Sequence, residues 1–162
     1  MASEAKDVYE DDAPTDPTNN QLIAVEKTAV ARIEGMLGTI GQQAVHNFVG
    51  TPEEIWRLTA RANAPEAMSM QDCRDREIAV KYFYAHRVQI AGPTSGEYVD
   101  AIRCVLIDSN GVPFAFVSDG IAADLAQMIY TFGLQPWVPA VLVKPVEVKT
   151  RRGYRTYRLI PA

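Results

Sequence analysis

The sequence predicts a mainly β domain, and three observations carry that prediction. Residues Ile78 to Ile90 alternate in side-chain character with a period of two, the signature of a long strand. Residues 98 to 160 then read as two β-hairpins separated by one short helix. Turn-forming clusters, Gly92-Pro-Thr-Ser-Gly96, Asp108-Ser-Asn-Gly111 and Thr150-Arg-Arg-Gly153, stand where those segments have to reverse.

Each element follows in order. Met1 to Asn20 is rich in Asp, Glu, Pro and Ala and poor in large apolar groups, so it reads as a disordered acidic tail. Between Leu22 and Val49, Leu22-Ile-Ala-Val and Thr28-Ala-Val-Ala-Arg-Ile fit short strands, whereas Gln42-Gln-Ala-Val-His-Asn-Phe fits a helix; Gly35, Gly38 and Gly41 argue against one long helix. Thr51-Pro52-Glu53-Glu54 is a helix start, with Thr as N-cap, Pro at the first position and Glu completing a capping box. That helix runs to about Ala62 and packs through Ile55, Leu58 and Thr59, with Trp56 beside them.

The first strand, 78 to 90, puts Ile78, Val80, Tyr82, Tyr84, His86, Val88 and Ile90 on one face. Lys81, Phe83 and Arg87 fall on the other, less apolar face. Tyr98 to Ile107 and Val112 to Val117 form a hairpin about Asp108-Ser-Asn-Gly111. Ser118-Asp119 caps a helix whose Ile121, Leu125, Met128 and Ile129 form an apolar face and which stops at Phe132-Gly133. Trp137 to Val148 and Tyr154 to Ile160 close the domain. Three strands, a helix and two strands is the order of a five-stranded OB-fold barrel. Residues 76–162 are therefore assigned to the barrel, 21–75 to an N-terminal helical or irregular extension, and 1–20 to the tail.

Composition narrows the function classes. The chain has 162 residues, 48% hydrophobic and 22% charged, the balance of a soluble globular protein. No apolar run approaches the roughly 20 residues that span a bilayer, and no charged-then-apolar leader is visible, so a cytoplasmic protein without membrane contact is expected. The net charge of -4 hides an asymmetry: Glu4, Asp7, Glu10, Asp11, Asp12 and Asp16 against Lys6 place -5 in the first 20 residues. By contrast Lys144, Lys149, Arg151, Arg152, Arg155 and Arg158 face only Glu147 in the last hairpin. The tail either solubilises the chain, or imitates a nucleic-acid backbone and competes for that basic surface, or recruits a partner.

No active-site pattern is present. Phosphate-loop, H-E-x-x-H and G-x-S-x-G motifs are absent, and His46 and His86 are the only histidines. His86 lies on an apolar strand face and reads as a core or edge residue. Cys73 and Cys104 lack neighbouring ligands at metal-binding spacing, so neither a disulfide nor a zinc site is expected. No enzyme activity and no cofactor are predicted.

The interleaving of cations with aromatics points instead to single-stranded nucleic acid, which needs positive charge for its phosphates and flat side chains for its unstacked bases. Lys81, Phe83 and Arg87 on the first strand form one such group, unless Phe83 belongs to the core. The last hairpin forms the other, with Lys144, Lys149, Arg151, Arg152, Tyr154, Arg155, Tyr157 and Arg158. Parity puts Tyr154, Thr156 and Arg158 on one face and Arg155, Tyr157 and Leu159 on the other. Leu159 favours the second as core-directed but does not decide which Tyr stacks. Arg103 joins the set on the second strand, and Trp137 either lines the groove or seals the core.

The segments from Arg103-Cys-Val-Leu-Ile through Phe116-Val-Ser-Asp119, Trp137-Val-Pro-Ala-Val-Leu-Val-Lys144 and Lys149-Thr-Arg-Arg-Gly-Tyr154 resemble small OB-fold single-stranded-DNA-binding proteins of phages and mobile genetic elements. The resemblance spans roughly residues 50 to 160 and lies in pattern and strand order. It implies a non-enzymatic protein that coats single-stranded DNA, or RNA, during replication or recombination without strong sequence preference. Its partners would be further copies of itself and other replication or recombination proteins, in the host cytoplasm if phage-encoded. The rival expectation is a protein-interaction or virion-assembly module that binds no nucleic acid.

Overall fold

The computed structural model describes residues 44–162; the expected acidic tail and most of the stretch 21–50 lie outside the described residues. In chain order the elements are β1 (Ala44–His46), α1 (Pro52–Ala62), α2 (Met70–Cys73), β2 (Ile78–Ala91), β3 (Tyr98–Asp108), β4 (Pro113–Val117), α3 (Asp119–Phe132), β5 (Val141–Lys149) and β6 (Arg155–Pro161). All strand pairings are antiparallel, in one six-stranded sheet of order β4-β3-β2-β5-β6, with β1 also on β2. Among the described residues no helix is long and apolar enough to cross a membrane.

Local chemistry explains the helix ends. The Thr51 hydroxyl accepts from the Glu54 amide while the Glu54 carboxylate accepts from the Thr51 amide, the predicted capping box. Ser118 caps α3 through the Ile121 amide, and Gly133, at φ +87, ends it in the conformation glycine reaches without strain. In the β3–β4 turn, Asp108 accepts from the amides of Asn110 and Val112, and Gly111 has φ +84. The segment expected to be helical around Gln42–Phe48 instead contains β1, whose three residues pair with His86, Ala85 and Tyr84. Pairing to the waiting edge of β2 overrides a weak local preference.

The long strand carries a second correction. Opposite β3 the register shifts between Val80 and Tyr82, so Lys81 is an extra residue in β2. One inserted residue exchanges the faces beyond it. Ile78 and Val80 therefore share a core with Phe83 and Ala85, whereas Tyr82 and Tyr84 pack on the opposite face. Both faces are covered. The larger core holds Phe83, Cys104, Leu106, Phe114, Ile121, Leu125 and Trp137. The smaller holds Phe48, Tyr84, Val105 and Ile107 under Ile55 and Leu58 of α1, while Trp56 stays 70% exposed.

The sheet is not closed into a barrel. The outer edge of β4 is taken by Met68, whose amide donates to Pro113 O (3.0 Å) and whose carbonyl accepts from the Ala115 amide (2.8 Å). The outer edge of β6 is met by α3: the Leu159 amide donates to Asp124 Oδ2 at 2.8 Å. Gly120 lies so close that any Cβ there would run into the Tyr157 carbonyl. With α3 wedged against one edge and Met68 zipped to the other, β4 and β6 do not pair.

Candidate nucleic-acid interface

The β5–β6 ribbon extends past the end of β2. Only Val141, Leu142 and Val143 of β5 pair with β2, whereas Val143 to Lys149 pair with β6 along its whole length. The six residues beyond Val143, as far as Lys149, carry the ribbon about 20 Å further. Its turn is closed by the Gly153 amide donating to Thr150 O (2.9 Å) and the Thr150 amide donating to Tyr154 O (2.6 Å). Gly153 has φ +86, the left-handed position that follows a type I turn in a hairpin of this length. This places Arg151 and Arg152 at the apex, both exposed, with Lys149 and Arg155 opposite one another at its base. Tyr154 is 71% exposed among them.

One carboxylate orders the base of this cluster. Glu147 accepts from Arg74 at 2.6 Å and from Arg155 at 3.1 Å, joining the ribbon to the end of α2. Exposed ion pairs contribute up to about 1 kcal/mol each, so the arrangement orients the cations more than it stabilises the fold. Four cations and Glu147, with Tyr154 between, remain a positively charged tip with one accessible ring.

The other predicted site residues are placed differently. Phe83 is fully buried and Trp137 is 3% exposed; their ring centroids lie 5.3 Å apart in the core, and the Trp137 indole donates to Gly133 O. Neither can stack on a base. The reason for Phe83 is the Lys81 bulge, which turns it inward. Arg158 is held by Asp124 through two bonds of 2.7 and 2.8 Å, and Arg103 donates to Ala62 O. Burial holds the Arg103 guanidinium below its ordinary pKa. Tyr157 packs against the larger core and lines a cleft of about 420 Å³ with Ser69, Phe116, Ser118 and Ile121. The face of Leu159 is therefore the core face, as its parity suggested.

Lys81 is half-buried, its ammonium 5.2 Å from the Tyr82 ring centroid, and Lys144 is half-buried opposite Ile160. Arg87 is exposed, but at the far end of β2. It lies nine positions along from Ile78, about 30 Å of strand, and the basic ribbon leaves in the opposite direction. The single groove expected from the sequence thus divides into a basic ribbon tip and a separate Arg87.

Comparison with protein-family models, with curated proteins and with solved structures finds no match in any of the three. The site is accordingly described from its own chemistry.

Two residues escaped the sequence reading. Arg74 reaches the cluster from α2, an element whose signal was legible: Ser69 and Asp72 form a capping box three residues apart, with Asp72 accepting from the Ser69 amide at 3.0 Å. Asn47 is fully buried and spans the bulge. It donates to Lys81 O and Gln135 O at 3.1 Å each and accepts from the Phe83 amide at 2.8 Å. No sequence signal identifies it, because its three partners come from two distant segments. Among the described residues no three His, Cys, Asp or Glu side chains gather as a metal site.

Proposed function

We propose that this protein binds single-stranded nucleic acid without sequence preference through the tip of the β5–β6 ribbon. The observation that carries the reading is the exposed ring of Tyr154 set among Lys149, Arg151, Arg152 and Arg155 on a projecting hairpin. Cations neutralise phosphates, and a base stacked on an aromatic ring contributes about 1–3 kcal/mol whatever its identity. Coating of exposed DNA during replication or recombination is the role this chemistry serves. The strand order supports an OB-like fold left unzipped between its third and last barrel strands, with the hairpin between the last two, one of the gripping loops of such folds, as the site.

Fluorescence anisotropy of labelled oligo-dT across a salt series tests it. Binding should weaken steeply as salt rises, because neutralised phosphates release counterions. Replacing Arg151 and Arg152 together with Ala should reduce the slope of log affinity against log salt by about 1.4 for a single strand. Tyr154→Ala should lower affinity about 5- to 150-fold, while leaving that slope in place. An unchanged slope removes the arginines from the site, and no binding at low salt overturns the reading. A second reading, a protein-docking module, is favoured by the exposed Tyr130, Phe132, Leu134 and Val138 around the end of α3.

A further inference from the structure

Ile55 and Leu58 of α1 pack on the smaller core, but Trp56 does not: its ring is 70% exposed. It lines an open depression of about 420 Å³ whose apolar lining includes Ala60, Ala64 and Pro113. Arg57 and Arg61, one helical turn apart, stand in the same lining, and Glu66 is the carboxylate there. Arg57 donates to Glu53 at 2.6 Å and Arg61 to Gly111 O at 3.1 Å. A guanidinium has five N–H donors, so one bond apiece leaves each able to take a phosphate oxygen as well. The bond to Gly111 also fixes where the depression lies. Gly111 belongs to the β3–β4 turn, and the Val80↔Asp108 pairing puts that turn level with the start of β2, the end of the sheet from which the basic ribbon projects.

On the premise that the ribbon tip binds single-stranded nucleic acid, we infer that α1 carries a second platform for the same strand, with Trp56 stacking a base and Arg57 and Arg61 meeting the adjoining phosphate. The chemistry repeats that of the tip, an accessible ring with guanidiniums beside it. Measured along the sheet, β4 and β5 are three strand spacings apart, about 14 Å, and the tip lies about 20 Å beyond the start of β2. The two rings are therefore on the order of 25 Å apart, a span for a strand of many nucleotides and not for one of a few. Because α1 covers the face of the smaller core, the strand passes around the end of the sheet to reach it. Glu53 and Glu66 match the two arginines in number, so this platform contributes by stacking. The tip, with four cations to one carboxylate, supplies most of the dependence on salt.

The chain has two tryptophans, and Trp137 is 3% exposed, so quenching of tryptophan emission by added oligo-dT reports Trp56. An oligo-dT of about 16 nucleotides should quench that emission as it binds to the full chain. Trp56→Ala should weaken its binding about 5- to 150-fold with the salt slope unchanged, and should leave the binding of an oligo of about 4 nucleotides as it was. Tyr154→Ala should weaken both. Circular dichroism checks that each variant is folded. Binding of the longer oligo without quenching, and undiminished in Trp56→Ala, would overturn this inference while leaving the ribbon reading in place, and would point the depression to a protein partner instead. Quenching that persists at full affinity when Arg151, Arg152 and Tyr154 are all replaced with Ala would overturn the shared strand, making α1 a site by itself. No binding at low salt overturns the ribbon reading and this inference with it.

Discussion

Asn47 is the residue whose replacement reads most directly on how β2 is held. Its side chain is fully buried and satisfies the Phe83 amide and two carbonyls. In Asn47→Ala the Lys81 carbonyl keeps its second donor, the Trp137 amide at 3.0 Å. The carbonyl of Gln135, an exposed residue, can turn to water. The Phe83 amide, next to a core ring, has no such substitute. An unsatisfied buried donor costs about 1–3 kcal/mol, and the lost side-chain contacts add to it, so about 3 kcal/mol is expected in all. Urea unfolding followed by circular dichroism measures this at pH 7. A loss below about 1 kcal/mol with an unchanged m-value would refute the argument, since it would mean that strand pairing alone maintains the bulge.

Asn47→Asp sharpens the test. The carboxylate still accepts from Phe83 but can no longer donate to the two carbonyls, so its folded-state pKa should rise above the unfolded value of about 3.9. Its stability is then fully present below about pH 4 and is lost as pH rises through the raised value. The variant should therefore be closest to the parent chain in acid and furthest from it at neutral pH.

Three other outcomes follow from the same geometry. Arg158→Ala strands Asp124 beside the Leu159 amide and should lower unfolding free energy by about 2 kcal/mol, with little effect on oligo-dT affinity, because Arg158 is occupied by that carboxylate. The thiols of Cys73 and Cys104, pushed up by burial to about 11 and about 12, should react with a thiol reagent at pH 8 only as fast as the protein opens, and promptly in urea. Burial lowers the pKa of both His46 and His86, with Arg103 adding to the effect at His86, so the unfolded chain binds more protons than the folded one as pH falls through about 6.5. Stability should accordingly decline between neutral and mildly acid pH in urea titrations, and replacing both histidines with Phe should flatten that decline.

Much of the local structure was legible because it is decided by neighbours in the chain. The capping box at Thr51 and Glu54, the Ser118 cap, the glycine stops at Gly111, Gly133 and Gly153 and the apolar alternation of the strands each rest on residues within a few positions of one another. The basic hairpin belongs to the same class: its charges and its turn are contiguous in sequence, and the exposed cluster of Lys149, Arg151, Arg152, Tyr154 and Arg155 could be anticipated from them. The direction of each side chain could not. A single extra residue at Lys81 reverses the faces of β2, which sends Phe83 inward and leaves Tyr82 and Tyr84 on the other side. The pairings of Arg158 with Asp124 and Arg103 with Ala62 join segments more than 30 residues apart, so nothing local distinguishes those cations from the exposed ones.

Closure of the sheet lay equally beyond the sequence. The two hairpins are local, but the β2–β5 pairing that joins them links segments more than 60 residues apart, and whether the two outer strands meet depends on what else reaches their edges. Here Met68 takes the edge of β4, and α3 presses Gly120 and Asp124 against the edge of β6. Backbone groups at a buried edge require a partner, and which segment supplies it is settled only in three dimensions.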